Sequence, residues 1–173
     1  LSKEDNTYKP IKAYKVLLRI AAVVVIGFGL YFALLNEDLT KINTLVAETT
    51  NFSLPDNSEI TVNADSKIAY NKEKWNKNRK LSLDGEAFFK VAKGAKFEVK
   101  TDIGTVTVLG TRFNVKQRGK LLEVQCFEGL VNVTIDTVNN KLRAGETLLF
   151  TKSKLVMGRT SLTKPSWVNG KSS

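Results

Sequence analysis

Asp84 and Glu86 are the first residues to test for chemistry, two carboxylates set two apart around Gly85. Residues i and i+2 of a strand share a face, so the pair could serve as general acid and base, as in a glycosidase. Such a site also needs an aromatic sugar platform and further polar groups, and none accompanies the pair. The chain has no His, which removes the commonest general base and the commonest metal ligand. Its single Cys, Cys126, alternates with Leu122 and Val124, the pattern of a buried small hydrophobe rather than a reactive thiol. These residues point to a non-enzyme, with no cofactor and no metal. Glu86, Glu128 and Glu146 each flank a turn glycine, where they would most simply cap turn N–H groups or pair with a Lys.

The densest basic run is Lys72-Glu73-Lys74-Trp75-Asn76-Lys77-Asn78-Arg79-Lys80. An aromatic among cations can stack on nucleic-acid bases. The competing reading is a solvated hairpin loop, with contact to anionic headgroups or an acidic partner as a third. Net charge is +10 overall, and beyond Leu35 it is +7, from 22 Lys plus Arg against 15 Asp plus Glu. A balance of this kind often signals an anionic partner. Behind a membrane anchor the nearest polyanion is a lipid surface, and nucleic acid drops out as a partner.

The anchor is the apolar run Val16–Leu35, twenty residues interrupted only by Arg19. About 20 residues of helix cross the hydrocarbon, and Arg19 lies close enough to the edge to snorkel. A cleaved signal peptide would have a shorter apolar part and an Ala-x-Ala-like site, whereas this run ends in Leu34-Leu35-Asn36-Glu37-Asp38. A buried core helix would show a polar face, and this segment has none. Lys3, Lys9, Lys12 and Lys15 precede the run, so the N-terminus is expected inside and the remainder outside. The first residue is Leu1 rather than Met, which suggests a longer native cytoplasmic part.

Past the anchor the organisation is expected to be a linker over 36–50, a β-domain over 51–152 and a connector over 153–173, with 1–15 as a cytoplasmic tail. From Asn51 the texture is period-two alternation, as in Lys96-Phe97-Glu98-Val99-Lys100 and Leu130-Val131-Asn132-Val133-Thr134-Ile135. Turn signals such as Pro55-Asp56-Asn57, Asp84-Gly85, Leu109-Gly110, Glu128-Gly129 and Ala144-Gly145 recur at short intervals. Ten or eleven strands are predicted, at about 59–63, 66–70, 80–83, 86–92, 96–101, 104–109, 111–117, 120–127, 129–135, 140–143 and 146–151. The fold class is therefore all-β, either a sandwich or a solenoid-like stack of hairpins. Phe88, Val91, Val106, Val108, Phe113 and Val115 are spaced as core-facing residues, and Gly85, Gly110 and Gly129 sit between strands.

The pieces LPDNSEITVNADSKIAY (54–70), RKLSLDGEAFFKVAK (79–93), FEVKTDIGTVTVLGTRFNVK (97–116), VQCFEGLVNV (124–133) and LRAGETLLF (142–150) together resemble the FecR family. The residues that carry the resemblance are Gly85, Glu86, Phe88, Gly110, Thr111, Phe113, Asn114, Glu128, Gly129, Gly145 and Glu146. Trp167-Val168-Asn169-Gly170 looks like the opening of that family's C-terminal region. The resemblance implies a single-pass inner-membrane anti-sigma regulator with its β-domain in the periplasm. It further implies a cytoplasmic sigma factor bound before Leu1, and the signalling domain of a TonB-dependent outer-membrane receptor bound after Ser173. Regulatory proteases that cut such regulators in the membrane are implied as well, and Gly27 and Gly29 would loosen the helix there. The rival from another class is a membrane-tethered envelope protein holding polysaccharide or lipid, which would need outward-facing strand aromatics; Phe88 and Phe89 are the one adjacent pair.

Overall fold

The computed structural model describes residues 13–35, 38–152 and 154–169. Lys3, Lys9, Lys12, Asn36, Glu37 and Gly170 lie outside the described residues. The chain divides into two compact units, Leu1–Asp38 and Leu39–Ser173. In the first, helix α1 spans Ala13–Leu35, starting three residues before the predicted anchor. Its 23 residues extend about 34 Å at 1.5 Å per residue, enough to cross a bilayer. The window Tyr14–Tyr31 has a mean hydropathy of 1.8, and none of its residues is buried.

Among its described residues the second unit has thirteen strands. They are β1 (Thr40–Thr44), β2 (Thr50–Ser53), β3 (Glu59–Val62), β4 (Ser66–Tyr70), β5 (Arg79–Lys90), β6 (Phe97–Lys100) and β7 (Gly104–Val108). After them come β8 (Arg112–Arg118), β9 (Leu121–Glu128), β10 (Leu130–Ile135), β11 (Val138–Arg143), β12 (Glu146–Thr151) and β13 (Lys154–Arg159). A single turn of 3₁₀ helix follows at Ser166–Asn169.

The sheet curls because β5 belongs to both of its halves. Leu81–Asp84 pairs with β4 and Arg79–Ser82 with β6, whereas Gly85–Lys90 pairs with β8 and Ala87–Lys90 with β3. The first half therefore runs β1-β4-β5-β6-β7-β10-β11 and the second β2-β3-β5-β8-β9-β12-β13. Among the described residues only β5 and β6 pair in parallel, and the other ladders are antiparallel. After β5 the chain lays down hairpins alternately, β6-β7 on the first half, β8-β9 on the second, β10-β11 on the first and β12-β13 on the second. The two expected architectures thus merge, since a stack of hairpins wound this way is itself a two-layered sheet around one core.

That core draws inward-facing residues from both halves, among them Leu81, Phe97, Val106 and Val131 from the first and Ile60, Phe89, Phe113, Val124 and Leu148 from the second. All of it, with its partly buried fringe, lies between Ile42 and Phe150. The β unit therefore closes a core of its own.

Three differences from expectation have local causes. The strands expected at 80–83 and 86–92 are one, because Gly85 at φ +123° bends the chain without reversing it. A side chain there would collide with Ser66, whose Cα is 2.6 Å from the position of an added Cβ. The linker expected at 36–50 carries β1 and the connector at 153–173 carries β13. Ile42 is the only apolar residue of β1, and Leu155-Val156-Met157 are consecutive in a strand exposed throughout, so neither shows alternation. Finally, Phe88 is buried but faces away from the core, edge-on to Phe127 at 5.8 Å, while Phe89 takes the core position.

Candidate functional site

The family-pattern glycines fall at the points where the chain passes between halves. Gly85 is the bend inside β5, Gly110 lies between β7 and β8, Gly129 between β9 and β10, and Gly145 between β11 and β12. Gly110, Thr111, Glu128 and Gly129 meet at one corner. An added Cβ at Gly129 would sit 3.0 Å from Thr111 Oγ1 and 3.1 Å from the Gly110 carbonyl, and φ there is +83°. Thr111 Oγ1 donates to the Leu130 carbonyl at 3.1 Å, and the Thr111 carbonyl accepts from Val91 N–H at 3.0 Å. Glu128 pairs with Arg112 at 3.6 Å on the surface. At the next corner Glu146 accepts from the Arg143 N–H at 2.8 Å, and Gly145 N–H donates to the Cys126 carbonyl at 2.8 Å. Glu146 is therefore a turn cap, and Glu128 pairs with an Arg rather than a Lys.

Glu86 departs from that pattern. Its carboxylate is buried and accepts from two side-chain amides, Asn63 Nδ2 at 2.9 Å and Asn114 Nδ2 at 3.0 Å. Its N–H donates to Ser66 Oγ at 2.9 Å, and Thr44 Oγ1 accepts from Ser66 N–H at 3.0 Å. Thr44, Asn63, Ser66, Glu86 and Asn114 thus tie β1, β4, β5 and β8 together at the bend. Asp84 is exposed and opposes Lys67 in the first half, whereas Glu86 opposes Lys116 in the second. The layer change at Gly85 separates the two carboxylates that the sequence would place on one face.

The basic run is taken apart in the same way. Trp75 is fully buried, edge-on to Tyr70 at 5.4 Å and to Phe97 at 5.6 Å, so it is a core residue and not a stacking platform. Arg79 is buried too. Its Nε donates to Asp56 at 2.6 Å, its terminal nitrogens donate to the carbonyls of Ala95 (2.6 Å) and Ala92 (2.9 Å), and its guanidinium lies 5.4 Å from the Phe97 ring centre. Lys80 pairs with Glu98 at 3.2 Å. Lys72, Lys74 and Lys77 remain at the surface of the loop between β4 and β5. A signal for Arg79 was present: it is two residues before Leu81 and four before Leu83, the inward parity of β5.

Asp56, which the sequence presents only as a turn residue, is the counter-charge. Burial pushes its carboxyl up, but hydrogen bonds from Ser58 N–H, Arg79 and the Ser58 hydroxyl, with the Arg79 charge, outweigh that and hold it below the usual range. Hydrogen bonds from Lys96 and Lys80, against some burial, likewise lower Glu98. A carboxylate depressed in the folded state stabilises above its unfolded pKa of ~4, and that stability is lost as pH falls through the folded value. The urea midpoint of the β unit is therefore expected to fall between pH 5 and pH 2, and Asp56→Asn to be less stable at pH 7 but lose less on acidification. A midpoint equally pH-dependent in Asp56→Asn would refute this assignment. Burial also pushes the Cys126 thiol up to about 11, which keeps it protonated and unreactive.

Comparison with known proteins places the chain among relatives. The sequence model of a family described as FecR protein matches residues 40–132. Two crystal structures of candidate anti-sigma factors from Parabacteroides distasonis ATCC 8503 are similar to it. One, at 30% identity, superposes with a TM-score of 0.67 over 70% of this chain and 60% of its own. The other, at 27% identity, gives 0.69 over 76% and 65%. The chain thus spans a little under two thirds of the length of either. No curated protein matches it.

Proposed function

The chain belongs to the FecR family, and from that membership we propose that it is a single-pass membrane regulator of the anti-sigma type. In this reading α1 anchors the protein in the inner membrane, and a cytoplasmic sigma factor binds chain that precedes the helix. The β unit lies in the periplasm and receives its signal from the signalling domain of a TonB-dependent outer-membrane receptor. Proteases then act on the anchor or its flank. The observation that carries the reading is the family's β-domain beginning at Thr40, five residues beyond an apolar helix able to cross a membrane. A β unit whose motif glycines close corners and whose buried Arg79 and Glu86 are held by hydrogen bonds within the fold suits a sensing and shielding role rather than catalysis. Phe88, the outward aromatic that an envelope glycan binder would need, is only 2% exposed, so that rival gains nothing from it.

Orientation follows from Lys15 and Arg19 at the start of α1, with Lys3, Lys9 and Lys12 before them, and from Glu37 and Asp38 after it. A reporter fused after Asn169 is expected to be active only outside the cytoplasm; activity inside would reverse the topology. Deleting residues 39–159 from the full-length protein is expected to change transcription of the genes its sigma factor controls, with or without inducer. Transcripts that stay flat while the truncated protein remains in the membrane would sink the anti-sigma reading. Loss of a retained glycan or lipid in the same strain would favour the tethered binder.

A further inference from the structure

The outer surfaces of the two halves differ sharply in charge. On the second half most cations face a carboxylate: Lys90 pairs with Glu59 at 2.8 Å, Arg112 with Glu128 at 3.6 Å, and Lys116 lies between Glu86 and Glu123 in register, while Lys154 and Arg159 on β13 have no ion pair among the described residues. On the first half, strand parity brings seven cations to the outer face against Asp84 and Glu98, with Asp102 beside Lys41, Lys67 and Lys100 as a third carboxylate. Lys80 and Lys96 share Glu98. Lys41, Lys67, Lys100, Lys141 and Arg143 have no ion pair among the described residues, all five are exposed, and of the five only Lys67 faces a carboxylate, Asp84, in register. Between them the face carries small side chains, Ala69, Ser82, Thr105, Thr107 and Thr134.

One end of this face is apolar. Leu109 and Leu130 are 64% and 49% exposed there, beside a cleft of about 600 Å³ rimmed by Lys93 and Lys96. Exposed leucines flanked by lysines match the boundary of a bilayer, where apolar side chains enter and cations meet phosphates. Only four residues separate Leu35 of α1 from Thr40, the first residue of this half. A tether that short raises the effective concentration of the surface, so weak individual contacts suffice.

We propose that the outer face of the first half is a docking surface for anionic phospholipid headgroups, on the bilayer that α1 enters. The proposal rests on α1 being a membrane anchor. It adds a second, salt-sensitive attachment that would hold the unit against the membrane and leave the second half free for a protein partner. Each cation near an anionic surface contributes modestly and the sum is screened by salt.

The β unit, residues 38–169, is mixed with vesicles of phosphatidylcholine alone or with phosphatidylglycerol added, and sedimented. Binding is expected only with phosphatidylglycerol, and to fall steeply with added salt. Lys41→Glu, Lys67→Glu and Lys100→Glu together are expected to reduce it at least about tenfold, with circular dichroism unchanged, while Lys116→Glu leaves it unchanged. In the full chain reconstituted in the same vesicles, a spin label at Ser82→Cys is expected to be shielded from an aqueous quencher only with phosphatidylglycerol, and one at Glu123→Cys to stay accessible; buried Cys126 takes no label. Binding that ignores lipid charge, no binding at all, or an unaffected triple variant overturns the proposal. Binding of polyglutamate without vesicle binding also overturns it, by assigning the face to an acidic protein. Carbonate extraction of the full chain tests α1 separately.

Discussion

Arg79→Met is expected to lower the unfolding free energy of the β unit by about 3–5 kcal/mol, the range for breaking one side of a buried, hydrogen-bonded ion pair. The guanidinium is 8% exposed and serves Asp56, Ser58 and the carbonyls of Ala92 and Ala95 at once. Removing it strands a partly buried carboxylate and two acceptors, and the desolvation already incurred is no longer offset. Arg79→Lys should recover little, because one ammonium cannot reproduce a planar fork with this spread of acceptors. Urea denaturation of the three proteins at pH 7 measures the effect. A loss below about 1 kcal/mol would mean that the pair behaves as a solvated surface bridge.

Phe113→Ala is expected to cost about 3–5 kcal/mol through lost burial and the cavity left behind. The ring has no solvent exposure, stacks on Phe89 at 4.9 Å and opposes Cys126 across the β8-β9 ladder. Phe89 also meets Phe97 at 6.2 Å, so the loss at Phe113 reaches the contact between the two halves. Phe113→Leu should cost less, because most of the volume is kept. A change within experimental error would place the ring outside the core and make its motif a contact surface instead.

The two variants divide what was legible from what was not. Phe113 alternates with Val115, and that period of two made its inward position readable without coordinates. Arg79 shares the parity of Leu81 and Leu83, yet its charge and its neighbours Lys77 and Lys80 drew it into an apparent basic patch. Parity was right there, and residue type misled, because the counter-charge lies 23 positions away on a turn. Asp84 and Glu86 failed for the opposite reason. The parity rule assumes a straight strand, and Gly85 bends this one from one half of the sheet into the other.

By itself the sequence determined the apolar helix, the all-β class and most strand positions and inward-facing residues, because each depends on local periodicity and on turn residues within a few positions. Short or unalternating strands such as β1 and β13 escaped it, since they are held by partners rather than by their own pattern. Tertiary structure alone decided which strands pair and where the sheet folds over. It also sent Trp75 into the core, built the amide cradle around Glu86, and left one outer face with unmatched lysines. These outcomes rest on contacts between residues tens of positions apart, whose energies depend on burial and mutual distance, and neither quantity exists until the halves close on each other.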